Sequence, residues 1–257
     1  MRSARFNTSG LLTLIALLAA WQITLAAGAV HFDYLPAPST IAAAVIAELR
    51  SGQLVRDILH TVSATVMACL LAMVIGGVLG LMLGLWRPLR IALIGSINVL
   101  RPLPTIAFVP VAVLLLGFST TMEVTVATVA GVWPMLVNTM GGVQSVHQRL
   151  EEVGATLRLA PLRRVRTIVL PAAAPMILVG ARLAMGITLV VVVVAEMIGN
   201  PSGLGYQIVQ TQQALRPDAM FAYVLAVGAV GIALNATLVG VAGRFAGHLV
   251  DPRESSS

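Results

Sequence analysis

Six runs of apolar residues, separated by polar stretches, set the architecture of this chain. They fall at about residues 11–30, 58–86, 104–118, 124–140, 172–198 and 219–245. Most are long enough to cross the roughly 30 Å hydrocarbon core of a bilayer as a helix. Within the runs apolar residues follow one another without alternation, which argues against a transmembrane β-barrel. A helix satisfies every backbone hydrogen bond within its own segment, as lipid requires. The pattern predicts an all-α membrane protein with six transmembrane helices, in a single domain over residues 1–257. The third and fourth runs are short, which predicts tilt or distortion.

The polar stretches predict smaller elements. Leu35-Pro36-Ala37-Pro38-Ser39 leads into a short helix over residues 40–50, where Ile41, Val45 and Leu49 recur every fourth residue and Ser39 is placed to cap. Arg87-Pro88-Leu89-Arg90 predicts a hinge, residues 91–100 an interfacial segment, and Arg101-Pro102-Leu103-Pro104 a break in regular helix. Ser145 and Gln148 have the spacing of a capping box, so a helix is expected to start there and to end at Pro161. A loop over residues 199–205 precedes a polar helix over residues 206–215. Gly76, Gly80 and Gly84 recur at four-residue intervals and give one helix face a flat strip where another helix, from this or another subunit, can approach.

Charge orients the spans. Only 10% of the residues are charged and 58% are hydrophobic, with a mean hydropathy of +0.94. Six spans put both termini on one side. If that side is the cytoplasm, thirteen of the sixteen arginines lie inside and only Arg50, Arg56 and Arg216 lie outside. This is a positive-inside bias, and it places the chain in a cytoplasmic membrane as a multi-pass protein. The net charge of +6 then reflects topology, and no nucleic-acid partner is expected. Arg101 and Arg182 are read as anchors at the cytoplasmic interface. The first run, with Arg2 and Arg5 before it and Ala26-Ala27-Gly28-Ala29 near its end, is similar to a signal peptide, but its length favours a retained span.

Candidate chemistry is sparse. All sixteen basic residues are arginine, so no phosphate-binding loop of the lysine type can be built and no Schiff base can form. Cys69 has no second cysteine to pair with, and His60 and His147 have no metal-ligand partners at useful spacing, so no metal and no resident cofactor are expected. Glu196 is expected near the outer end of the fifth span, reaching the interface or pairing with an arginine. Glu196, Thr188 and Asn138 are candidate path or gate residues; polar groups in spans can equally serve only to join helices.

The most informative stretch is the connection over residues 141–171, cytoplasmic in this topology. It contains Glu151, Glu152, Val153, Gly154, Ala155, Thr156, Leu157, Arg158, Leu159, Ala160 and Pro161, and continues to Ile168-Val169-Leu170-Pro171. A short helix, a turn and a segment feeding the next span form a knob with small residues near its start, of a size to dock in a partner's cleft. An ordinary amphipathic loop would have the same composition.

This segment resembles the EAA loop of permease subunits of binding-protein-dependent ABC importers. Glu152 falls on the pattern's glutamate, and Ile168, Leu170 and Pro171 on its closing Ile-x-Leu-Pro. Val153 and Gly154 replace its alanines, and Arg158 its glycine. The proline-rich residues 35–39 and 100–104, together with Val179-Gly180-Ala181-Arg182, Ala195-Glu196-Met197-Ile198 and Ser202-Gly203-Leu204-Gly205-Tyr206, are similar to other elements of the family, in its nitrate, sulfonate and taurine branch.

The resemblance implies a type I importer permease fold and a path for a small solute such as a sulfonate, taurine or nitrate. It also implies a second permease subunit in a homodimer, two separate ATPase subunits holding ATP and Mg, and an extracytoplasmic binding protein. The segment from Glu151 to Pro161 would couple to the ATPase. The competing expectation is a secondary transporter or channel. It is disfavoured by nearly charge-free mid-span regions and dissimilar halves. A membrane enzyme would need an acid, base or nucleophile constellation that the sequence does not suggest.

Overall fold

The structure, a computed structural model, describes residues 8–26, 34–146 and 160–246. Helices α1 (Thr8–Ala26) and α2 (Pro38–Arg50) precede α3 (Gln53–Leu85). Helix α4 (Arg87–Leu100), a 3₁₀ turn (Thr105–Phe108), α5 (Val109–Leu116) and α6 (Thr120–Gln144) follow. Helix α7 (Pro161–Arg164) continues through a π-helical turn (Val165–Val169) into α8 (Leu170–Gly199). Helices α9 (Leu204–Gln213) and α10 (Pro217–Ala246) complete the described chain.

Four helical segments are long and apolar enough to cross a membrane: Gln53–Leu85, Thr120–Gln144, Pro161–Gly199 and Pro217–Gly243. A fifth crossing exists if α4 and the segment Thr105–Leu116, bent by 78°, act as one broken span. Of the six spans expected from the sequence, the described residues thus hold four, or five with the bent pair. The third run is not a span in its own right. Helix α5 has eight residues, about 12 Å of helix, and needs α4, expected to be interfacial, to complete a crossing. Pro102 and Pro104 stand at the break, where regular helix cannot continue.

Helix packing requires that crossing. A Cβ on Gly76 would lie 2.7 Å from the Val132 carbonyl, one on Gly80 2.6 Å from that of Leu136, and one on Gly84 2.6 Å from the Val143 Cβ. The glycine strip therefore packs on α6 of the same chain, closely enough that no larger side chain fits without movement. Residue numbers rise together across this seam, so α3 and α6 run parallel. The residues between them must carry the chain back from one end of the bundle to the other. Helix α8 runs antiparallel to both: Gly131 meets Thr188, and Gly142 meets Ala173 and Met176. Helix α6 is thus enclosed by α3 and α8, while α10 packs on α8 near Leu189 and Gly231 and leaves most of its surface uncovered.

Several local boundaries differ from the sequence expectation. Ala37 caps α2, because Pro38 suits the first helical position. Ser39 instead accepts a hydrogen bond from Gln22 Nε2 (3.2 Å) and donates its N–H to Gln22 Oε1 (3.1 Å), tying α2 to α1. The hinge after α3 is at Trp86, and Arg87 already begins α4. Arg90 reaches back to the carbonyls of Leu83 (3.4 Å) and Gly84 (3.1 Å), a cation on the carbonyl end of α3. Ser145 ends α6; the helix expected to start there, with Gln148, lies outside the described residues. Pro161 starts a helix; the helix expected to end there lies outside the described residues. The π turn sits just before Pro171, which cannot supply an N–H to a regular ladder.

Candidate functional site: a sealed polar knot and an open arginine-lined cleft

At the end of the bundle where α8 finishes, the chain turns through Asn200 and Gly203 into α9. Glu196, on the last turns of α8, is fully buried. Its Oε1 accepts from the Thr61 hydroxyl (2.8 Å) and its Oε2 from the Gly205 N–H (2.8 Å). Thr61 in turn accepts from the Leu204 N–H (3.0 Å). Gly203 has φ of +94°, and a Cβ there would stand 2.2 Å from Glu196 Oε1. Glycine is needed at this position for both reasons.

Glu123, in the first turn of α6, is equally buried. It pairs with His60 Nε2 (3.1 Å) through one oxygen and accepts from Asn200 Nδ2 through the other. All four carboxylate oxygens of Glu123 and Glu196 thus have donors from α3, the loop after α8, or the start of α9. The knot joins α3, α6, α8 and that loop.

Two sequence expectations are corrected here. Glu196 neither reaches the interface nor pairs with an arginine; folding the 200–205 loop over it supplies its donors instead. His60, without metal-ligand partners by spacing, stands with Glu123 and Glu196 in space, one ligand atom from each lying within 4.8 Å of the others. A histidine nitrogen and two carboxylates are donors a divalent cation accepts. His60 Nε2 lies on Glu123, while the Glu196 oxygens accept from Thr61 and the Gly205 N–H. The two buried carboxylates stand near helix ends, Glu123 in the first turn of α6 and Glu196 in the last turn of α8.

A second polar feature is unlike the first. A cleft of about 760 Å³ opens between the α4–α5 break, α6, α8 and α10. Its walls are mostly apolar, with Trp133, Ile187, Val190 and Leu234 among them. Arg101 at the break and Arg182 on α8 both line it. The Arg182 Nε donates to Asn235 Oδ1 on α10 at 2.8 Å. Among the described residues no carboxylate lies within ion-pair distance of either arginine, and none lines the cleft.

Both arginines, expected as interface anchors, thus line the cleft. Arg182 is twelve residues from Leu170 and seventeen from Gly199, about 18 and 25 Å along the axis, in the interior of α8 and not at its foot. Arg101 shares its cleft, at the level of Trp133 in the middle of α6.

The other candidate residues are placed as follows. Thr188 is fully buried where α8 meets Gly131 of α6, and donates to the Met185 carbonyl (3.0 Å). Asn138 donates to the Pro134 carbonyl (2.8 Å) and packs on Gly180. Neither lines the cleft, and Glu196 lies in the knot. Glu151, Glu152, Val153, Gly154, Ala155, Thr156, Leu157, Arg158 and Leu159 lie outside the described residues. Ala160 is extended and Pro161 opens α7. Sequence reasoning missed Thr61, Glu123 and Asn200. The available signal was Glu123 as the one charged residue of α6.

Comparison with known proteins places this geometry. The family described as binding-protein-dependent transport system inner membrane component matches residues 72–251. A Bacillus subtilis permease protein named for aliphatic sulfonates transport, SsuC, is 30% identical over 222 residues, covering 86% of this chain and 80% of that protein. The Escherichia coli protein of the same name is 29% identical over 217 residues, 84% of this chain and 82% of its own length. The nitrate import permease protein NrtB of Leptolyngbya laminosa is 30% identical over 147 residues, 57% of this chain and 53% of that protein. Among solved structures, the MetNI methionine ABC transporter in an inward-facing conformation superposes with a TM-score of 0.67 at 19% identity, covering 79% of this chain and 99% of that one. The architecture is therefore the type I ABC importer permease fold.

Proposed function

The chain belongs to the family of binding-protein-dependent transport system inner membrane components, and from that premise we propose how it works. It is a permease subunit of an ABC importer, a multi-pass inner-membrane protein that forms a translocation path. It carries no ATP-binding motif; with no lysine in the chain, the nucleotide chemistry belongs to partner ATPase subunits.

In the proposed assembly two copies of this chain face each other. Two ATPases holding ATP and Mg bind below, and an extracytoplasmic binding protein delivers solute from above. Helix α1 supplies a sixth span, and both termini are cytoplasmic. Setting Arg101 and Arg182 aside reduces the thirteen inside arginines to eleven, still far above Arg50, Arg56 and Arg216 outside. Of those three, Arg216 is paired with Glu48 at 3.2 Å. The solute is a small oxyanion of the sulfonate or nitrate kind, the cargo for which the related permeases are named.

One observation carries the coupling model. Residues Pro161–Gly199 form one helical segment of 39 residues. It joins the end of the candidate coupling segment Glu151–Pro161 to Arg182 in the cleft and to Glu196 in the knot. Displacement of the loop by a closing ATPase dimer would swing this rod and change access to the cleft. The test is docking. Glu152→Arg and Gly154→Trp are expected to lower the amount of ATPase that co-purifies with the chain by tenfold or more, and to abolish uptake. Wild-type recovery of the ATPase with both variants, together with unchanged uptake, would refute the coupling role.

A further inference from the structure

Arg182 is a permanent cation in the interior of a long apolar helix. Such a charge is costly in the membrane and marks a functional site unless something pairs it. Among the described residues its one partner is the neutral side-chain oxygen of Asn235, which uses one of the five guanidinium N–H donors. Arg101 lines the same cleft, and no hydrogen bond to its side chain is found among the described residues. Both arginine side chains are exposed in the cleft, whose wall is otherwise mostly apolar, so neither is covered by protein. The contrast with Glu123 and Glu196, whose every oxygen is satisfied by the protein, is sharp.

We infer that Arg101 and Arg182 form an oxyanion-binding station inside the cleft, with Asn235 holding the Arg182 fork so that its remaining N–H groups face the ligand. This rests on the proposal that the cleft belongs to the translocation path. The ligand class is a small trigonal or tetrahedral oxyanion, sulfonate or nitrate in shape, whose several oxygens can accept from a guanidinium fork two at a time. Asn235 is a positioning residue. The station must bind weakly enough to release its cargo, and a cleft open on one side suits that.

The test uses Trp133, which lines the cleft. With Trp21 and Trp86 replaced by Phe, Trp133 is the one tryptophan left in the full chain. In nanodiscs of zwitterionic lipid at constant ionic strength, quenching by iodide is compared with quenching by neutral acrylamide. Arg101→Gln and Arg182→Gln should each lower the iodide quenching constant about twofold or more while leaving acrylamide unchanged, and Arg182→Lys should retain most of the effect. With both arginines intact, millimolar methanesulfonate should compete with iodide and caesium should not. This second measurement decides the matter even if an arginine variant fails to fold.

Iodide quenching without competition by methanesulfonate, or indifferent to both arginines, would overturn the station. So would loss of iodide quenching specifically in nanodiscs containing phosphatidylglycerol, because an anionic lipid headgroup would then be the occupant. In the reconstituted complex, Arg182→Gln should lower oxyanion uptake about tenfold while binding-protein-stimulated ATP hydrolysis persists. If the unaltered complex shows no such stimulation, the importer proposal fails and the station is judged by the quenching result alone.

Discussion

The knot around Glu123 and Glu196 and the cleft around Arg101 and Arg182 are opposite solutions to placing charge among apolar helices. In the knot, two fully buried carboxylates receive a donor at each oxygen, from Thr61, His60, Asn200 and the Gly205 N–H. A network completed this way holds its elements in one arrangement. In the cleft, Arg182 has one neutral partner, Asn235, and Arg101 has none among the described residues. Satisfied polarity fastens α3, α6 and α8 to the loop after α8, whereas unsatisfied polarity is available to a ligand. The comparison teaches that intramembrane charge must be judged by its partners before it is assigned to transport. On that criterion Glu196 is a fastener and Arg182 a contact for the cargo.

Substitutions can break this contrast. The largest effect is expected in the knot. Glu123→Ala leaves His60 and Asn200 without their shared acceptor and should cost about 3–5 kcal/mol, as for one half of a broken buried pair. Thermal unfolding of the purified chain in detergent would register this as a clear loss. A smaller effect is expected at the glycine seam. Gly80→Leu must push α3 away from the Leu136 carbonyl and should cost about 1–3 kcal/mol in the same assay. The smallest effect on stability is expected in the cleft, where Arg182→Gln and Arg101→Gln should each stay within about 0.5 kcal/mol of wild type. If the cleft variants unfold as readily as Glu123→Ala, the division between fastener and contact is wrong.

Much of the fold was legible in the hydropathy pattern, because burial in lipid demands unbroken apolar runs. Helices α3, α6, α8 and α10 each contain one predicted run. The errors have a common cause. Hydropathy treats a polar residue as the point where a helix leaves the membrane. Helix α6 therefore seemed to start at Val124, although it begins at Thr120 with Glu123 inside the protein. Likewise, α3 begins at Gln53, before the predicted start, and Gln53 donates to the buried Asp57 (3.0 Å).

The site was less legible. Glu196 lies 135 positions from Thr61, and Asn200 lies 77 from Glu123, so no local motif connects them. The glycine strip was visible, but not which helix it meets. The positive-inside rule reads Arg182 as an edge marker because it counts arginines without regard to their place along a helix. That place follows only once α8 begins at Leu170 as the continuation of a helix from Pro161.

Transport itself gives the most direct test of the central claim. The complex of this chain with its ATPase is reconstituted in proteoliposomes, with the binding protein on one side and ATP on the other. Labelled taurine, methanesulfonate and nitrate are offered in turn. The account predicts accumulation of at least one of these oxyanions that requires both ATP hydrolysis and the binding protein, and that stops when either is withheld. Oxyanion accumulation that proceeds without ATP and without the binding protein would contradict it.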